Sequence, residues 1–220
     1  MRVAVDCAVF GYEEETLQVL LIERAREPFA GRWALPGGFV EEDEGLAEAA
    51  RRELAEETGI QTDAIEQIGA FGEPGRDPRA RVISVAYFAL VRRCEHAPRA
   101  ASDARAAAWF PADRLPPLAF DHAEIVGAAL GAARQRVGRS ALGFSLLPRK
   151  FTLTQLQRLY EVVLGRSLDK RNFRRRILEM DLLVALDEVE SGASHRAARL
   201  YRFDGRRYRE MVKRGFVFEV

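Results

Sequence analysis

The stretch Gly37 to Ile60, GGFVEEDEGLAEAARRELAEETGI, constrains the chain more than any other part of it. Its central residues lack β-branching and carry apolar groups at helical spacing, so a helix is expected near Glu44 to Thr58. Gly59 is placed for the left-handed turn that ends it. At about 100° per residue, Glu53, Glu56 and Glu57 fall within an arc of roughly 100°. Leu46, Ala47, Ala50 and Leu54 make an apolar stripe on the neighbouring arc, which puts the carboxylates at the edge of a buried face. Like charges so placed repel by a few tenths of a kcal/mol per pair on an open helix, and by more when water is excluded. Arg52 can pair with Glu56, but one arginine cannot neutralise three glutamates. A hard divalent cation with oxygen ligands can.

Such an ion keeps several waters and shares carboxylates with substrate phosphates, so cleavage of a phosphoanhydride is the expected chemistry. The preceding Gly37 and Gly38 suit a backbone that approaches a ligand or turns sharply, since glycine does both without steric cost. A solvated acidic helix is the alternative, and the spacing argues against it. Gly38, five residues, Glu44, seven residues, Arg52-Glu53-Leu54, then Glu56-Glu57 and Gly59-Ile60 form a long and restrictive pattern. This stretch resembles the Nudix box, the signature of the Nudix hydrolase family, without a mismatch. The resemblance implies an α/β/α sandwich around a mixed sheet and cleavage of nucleoside diphosphates linked to another moiety, with Mg²⁺ or Mn²⁺ as cofactor. It also implies that Glu53, Glu56 and Glu57 ligate the metal, with Glu53 also positioning or deprotonating water. Arg52 would hold the glutamates, Glu44 would be an outer or second-metal ligand, and Gly38 would set the loop. Asp103 is a weaker candidate for a base outside the box.

Downstream, FGEPGRDPRARVISVAYFAL resembles ADP-ribose pyrophosphatases of the Nudix family, with Pro74 where a proline is typical. ADP-ribose or a related nucleotide is therefore the expected ligand. Gly37 and Gly38 would lie against it, and Arg76, Arg79 and Arg81 could reach its pyrophosphate, for which a guanidinium is well shaped. Trp33 or Phe71 could stack on the adenine. Asp121 and His122 read as a cap on the helix that follows.

Strand-like runs fill the rest of the first portion: Val3 to Phe10, Leu17 to Ile22, a short extended RWALP, Ile65 to Phe71, RVISVAYFALV and AAWFP. A helix follows from near Asp121 to about Arg136. No eighteen-residue apolar run offers a membrane span, and MRVAVDCAVF lacks a secretory layout. Cys7 and Cys94 give neither a disulfide framework nor a metal-ligand spacing, which fits a cytoplasmic protein.

Charge divides the chain. Of 34 basic and 33 acidic residues, 14 and 23 lie up to Ala133, which leaves 20 and 10 beyond it. FTLTQLQRLYEVVLG carries a Thr/Gln capping signal and a closing Gly165. DKRNFRRRILEM is a second helix with Phe173, Ile177 and Met180 on one face. Two strand-like stretches, LLVALDEV and RAARLYRFDGRRYR, flank the turn ESGASH. Helix, turn, helix and hairpin is the order of a winged helix-turn-helix. Arg171, Asn172, Arg174 and Arg175 would face outward toward phosphates and base edges of double-stranded DNA, and Arg206, Arg207 and Arg209 would reach phosphates from the wing.

The two portions together, including RKFTLTQLQRLYEVVLGRSLDKRNFRRRILE, resemble the Nudix-related transcriptional regulators of the NrtR type. The expected division is a Nudix domain over 1–138 and a winged-helix DNA-binding domain over 139–220, acting as a homodimer on an operator. Many such regulators have a degraded Nudix box, whereas this one is intact, so hydrolysis of the sensed ligand is expected as well. The alternative is a metal-dependent ADP-ribose pyrophosphatase whose C-terminal part only dimerises.

Overall fold

The computed structural model describes residues 1–95, 104–190 and 197–220. Its contacts divide the chain into two units, Met1–Ala133 and Arg134–Val220, with the division inside one helix.

The first unit is built on a mixed sheet. Strand β1 (Arg2–Glu13) turns into β2 (Thr16–Arg24), to which it pairs antiparallel, with Glu14 and Glu15 at positive φ in the turn. Two short strands follow, β3 (Trp33–Ala34) against β2 and β4 (Gly37–Phe39) against β1. Helix α1 (Leu46–Thr58) leads to β5 (Ile65–Phe71) and β6 (Val82–Val91), which pair antiparallel. Strand β6 also lies parallel to β1 from Arg2↔Val82 to Gly11↔Val91, which makes the sheet mixed, as the sequence suggests. Strand β7 (Ala104–Pro111) closes the other edge against β2. Helix α2 (His122–Arg139) then begins.

Both faces of this sheet are covered. Val5, Cys7 and Val9 of β1 pack with Leu20 and with Ala49, Ala50 and Leu54 of α1. Successive strand residues point to opposite faces, so Asp6, Ala8 and Phe10 face away from α1. They too are buried, which is the layering of a sandwich.

The apolar stripe of α1 differs from expectation. Leu46 is exposed in the first turn, while Ala49, Ala50, Leu54, Glu57 and Thr58 are buried. Glu57 therefore lies within the buried face rather than at its edge. Gly59 ends the helix at φ 73°, with its N–H on Ala55 O, as its sequence position requires.

In the second unit, β8 (Phe151–Thr152) runs into α3 (Leu153–Leu164), then α4 (Lys170–Glu179), β9 (Leu183–Val189) and β10 (Arg199–Phe203). The sheet order is β8-β10-β9, all antiparallel. Thr152 Oγ1 accepts from Gln155 N (3.2 Å) and Gln155 Oε1 accepts from Thr152 N (2.8 Å), a complete capping box. Asp169 caps α4 by accepting from Asn172 N. Phe144, Phe151, Tyr160, Phe173, Phe203 and Phe218 form an aromatic core, with Phe144 stacked on Phe203 at 4.3 Å. Residues 191–195 of the expected turn and residue 196 of the strand-like stretch after it lie outside the described residues. The C-terminal end corrects the sequence reading: GRRYR is not strand but the start of α5 (Gly205–Lys213), capped by Asp204, whose side chain accepts from Arg207 N. Asp-Gly followed by arginines resembles a hairpin turn, yet the aspartate serves as a helix cap.

Candidate functional site

Glu57 Oε2 accepts the N–H of Gly37 at 2.8 Å, so the end of α1 is tied to the loop entering β4. A Cβ on Gly37 would collide with the backbone Val5 O, so that glycine is a steric requirement, whereas one on Gly38 would displace the carboxylate of Glu53. Arg52 gathers the other carboxylates. Its Nε and Nη2 bind Glu44 at 2.9 and 2.6 Å, Nη2 also reaches Phe39 O (3.2 Å), and Nη1 donates to Glu53 (2.9 Å) and Glu56 (3.4 Å).

These contacts revise the expected roles. Glu44 accepts from Arg52 through both oxygens and from Glu41 N as well, which holds its carboxyl down at about 2. Those bonds tie it to Arg52, and it is absent from the lining of the cleft that Glu53, Glu56 and Glu57 share. Nor do the four glutamates form a ready cage: among the described residues no three acidic, histidine or cysteine side chains are grouped to hold an ion by themselves. Burial pushes Glu57 up to about 8, reinforced by the charge of Glu53 against the bond from Gly37. Burial raises Glu53 as well, with Arg52 opposing. Carboxylates that burial disfavours in their charged form fit a hard divalent cation, which would take the rest of its ligands from water or phosphate.

Glu53, Glu56 and Glu57 line a cleft with Gly37, Gly38 and Phe39, and the guanidinium-bearing Arg24 and Arg79 line it too. Burial and the charge of Arg79 lower Arg24 below its ordinary value. Their cations lie near aromatic rings, Arg24 over Phe120 at 4.8 Å and Arg79 over Phe39 at 5.5 Å. Phe120 has φ 52°, a left-handed conformation uncommon for a bulky residue.

Of the three arginines expected at the pyrophosphate, one lines this cleft. Arg79 does so while forking onto Asp77 (3.0 and 2.7 Å). Arg76, its side chain almost covered, forks onto Asp121 and reaches Asp6, and it lines the adjoining pocket that shares Arg24, Gly37, Gly38, Phe39 and Arg79 with the cleft. Arg81 donates to Gly72 O and is absent from the cleft lining. The expected base-stacking residues are elsewhere too: Trp33 meets Phe110 edge-on at 4.6 Å, and Phe71 lies on β5 beside Ser84. Asp103 lies outside the described residues. Arg24, Phe39, Phe120 and the buried Asp6 escaped the sequence reading, and His122, read there as a helix cap, instead turns its ring to Leu35 N and Asp6. Only their apolar or basic surroundings could have hinted at them.

In the second unit, Phe173 and Ile177 are buried and Met180 is half-buried, so α4 turns Arg171, Asn172 and Arg175 outward. Lys170 and Arg176, not singled out in the sequence, are exposed beside them. Arg174 differs, being half-buried with Nη2 on Thr154 Oγ1 (3.0 Å), so it braces α4 to α3. Arg206, Arg207 and Arg209 lie on α5 rather than a wing. Arg206 pairs with Glu210 and Arg207 with Asp181.

Comparison with known proteins agrees with both units. Residues 1–128 match the NUDIX domain family and residues 143–203 match the NrtR DNA-binding winged helix domain. The chain is 38% identical to the ADPR responsive transcriptional repressor NtrR of Acinetobacter baylyi, over 90% of this chain and 80% of that protein. It is 44% identical to the ADP-ribose pyrophosphatase of Methanocaldococcus jannaschii, over 54% of this chain and 69% of that enzyme. Its structure resembles Shewanella oneidensis NrtR in complex with a 27mer DNA, with TM-score 0.79 and 34% identity over 91% of this chain and 93% of that one. No helix among the described residues is long and apolar enough to cross a membrane.

Proposed function

The chain belongs to the Nudix family, with an NrtR-type winged helix following its Nudix domain, and from this premise we propose that it is a DNA-binding transcriptional repressor that senses ADP-ribose and also hydrolyses it. The observation that carries the ligand reading is the cleft of mixed charge: acidic side chains of α1 and the cations of Arg24 and Arg79 line one space. A metal–pyrophosphate needs both signs at once. The intact Glu53, Glu56 and Glu57 and the likeness to an ADP-ribose pyrophosphatase support hydrolysis.

In this reading Glu57, Glu53 and Glu56 hold a divalent cation, Mg²⁺ or Mn²⁺. When bound, it would neutralise phosphate charge and acidify a coordinated water. Arg24 and Arg79 bind the diphosphate, and Phe39 and Phe120 offer ring faces to the nucleoside. Glu53 would take the proton of an attacking water, a role supported by the burial that raises its carboxyl. The exposed Arg171, Asn172 and Arg175 of α4 read the operator as a dimer, because paired half-sites need two recognition helices.

The test pairs two assays on the full chain. Fluorescence anisotropy with its own upstream DNA should show binding that ADP-ribose alters and that weakens steeply with salt. Binding no tighter than to random DNA would refute the repressor reading. With Mg²⁺ or Mn²⁺, ADP-ribose should be cleaved to AMP and ribose 5-phosphate, and Glu57→Gln should lower the rate by orders of magnitude. If wild-type protein leaves ADP-ribose intact, hydrolysis is excluded and sensing alone remains.

A further inference from the structure

The first unit buries a polar chain that the cation and ligand roles do not use. Leu35 donates its backbone N–H to Nδ1 of His122 at 2.8 Å. A backbone amide can only donate, so Nδ1 carries no proton and the imidazole is the neutral form protonated on Nε2. That Nε2–H faces Asp6 Oδ1 at 3.4 Å. Asp6 is held by Ser84 Oγ and by Arg76, whose other contacts fork onto Asp121, the residue before His122. The ring is fixed from both sides.

What it fixes is the approach to the candidate cation site. Leu35 is two residues before Gly37, and Pro36 O between them accepts from Cys7 N (2.8 Å). Gly37 N–H then binds Glu57 Oε2. The order is therefore His122 to Leu35, Leu35 through Pro36 to Gly37, and Gly37 to Glu57. Each link is a hydrogen bond or a peptide unit with little freedom, since proline fixes φ and Gly37 is packed against Val5 O.

We propose that His122 is a positioning residue for the cation site, its Nδ1 lone pair tethering Leu35 so that Gly37 N–H stays aimed at the Glu57 carboxylate. The proposal rests on the reading of Glu57 as a cation ligand. A partner that orients a ligand without touching the metal is worth about 10- to 100-fold in metal affinity, and this one acts through two peptide units, so an effect of about tenfold is expected.

Two substitutions separate tethering from simple filling of space. His122→Asn keeps an acceptor where Nδ1 stood but removes volume. His122→Gln keeps more volume and a donor near Nε2 but has no acceptor at the δ position. Tethering requires Mn²⁺ affinity, measured by electron paramagnetic resonance on the full chain, to fall about tenfold in His122→Gln and to stay within about threefold of wild type in His122→Asn. Filling requires the opposite order, and finding that order overturns the proposal, as does equal affinity in both. Should either variant not fold, the metal-free wild-type protein still decides. Nitrogen NMR must show Nδ1 unprotonated and coupled across the hydrogen bond to Leu35 N, and Gly37 N–H must shift when Mg²⁺ is added. A protonated Nδ1 or an unmoved Gly37 amide overturns the proposal. If wild-type protein binds no Mn²⁺ at all, the cation reading of Glu57 falls, and the tautomer result then stands as a separate fact about the fold.

Discussion

Adding a divalent cation to the metal-free protein should release close to one proton at pH 7. Burial holds Glu57 up at about 8, so at pH 7 roughly nine-tenths of the molecules carry it protonated. A cation needs the carboxylate, so binding must expel that proton. Each unit of pH below about 8 then costs about 1.4 kcal/mol, or tenfold in affinity. Apparent affinity should rise about fifty-fold from pH 6 to pH 8 and by no more than about twofold from pH 8 to pH 9. The sign is opposite for stability without metal. A carboxyl raised above its unfolded value contributes stability below that value and loses it as pH rises through about 8. Calorimetric titration of Mn²⁺ in buffers of different ionisation enthalpy gives the proton count directly, and Glu57→Gln should flatten the pH dependence. A count near zero at pH 7, with flat affinity from pH 6 to pH 8, would mean that Glu57 is already ionised and that burial in the α1 face does not govern it.

Three further outcomes are expected. Gly38→Ala puts a methyl where the Glu53 carboxylate stands, so that carboxylate must move off its bond to Arg52 and Mn²⁺ affinity should drop about tenfold; unchanged affinity refutes the close approach. Thr152→Ala removes the side-chain half of the α3 capping box and should lower stability by about 1 kcal/mol in chemical denaturation, while a loss under a few tenths would show the cap to be idle. Arg171→Ala with Arg175→Ala should flatten the salt dependence of DNA binding by about one unit of slope per lost phosphate contact. Arg174→Ala should instead act chiefly on stability, through its bond to Thr154, and an unaltered salt slope in the double variant would remove those two arginines from the interface.

What the sequence made legible follows from the range of the forces involved. The β1, β2 and β6 strands and the α1, α3 and α4 helices announce themselves through local periodicity and caps, such as Thr152 with Gln155 and the left-handed Gly59 and Gly165. Contacts between distant residues do not. Arg76 pairs with a residue 45 positions away and His122 with one 87 away, so nothing near them in the chain distinguishes a buried partner from a ligand contact. The same limit explains Arg79, which looks no different from Arg76 and Arg81 in the sequence yet alone of the three lines the cleft beside the glutamates. Helix α5 failed for a different reason. Asp204-Gly205 satisfies both a hairpin turn and a helix start, and only the Asp204 bond to Arg207 N decides between them.

The contacts of Arg52 explain how a site of clustered acids stays folded without an ion. Its Nε and Nη2 are held by Glu44 and Phe39 O, and only Nη1 is shared between Glu53 and Glu56. An arriving cation therefore has to displace one donor, not a whole guanidinium. The fork onto Glu44 is untouched, and Arg52 stays beside the helix with its charge already balanced. Glu56, the more exposed of the two shared carboxylates and at the longer distance, is the one that can turn toward an ion at least cost. Glu44 thus keeps Arg52 in place, so under the proposed cation reading Glu53, Glu56 and Glu57 are the glutamates that need release no more than one shared donor.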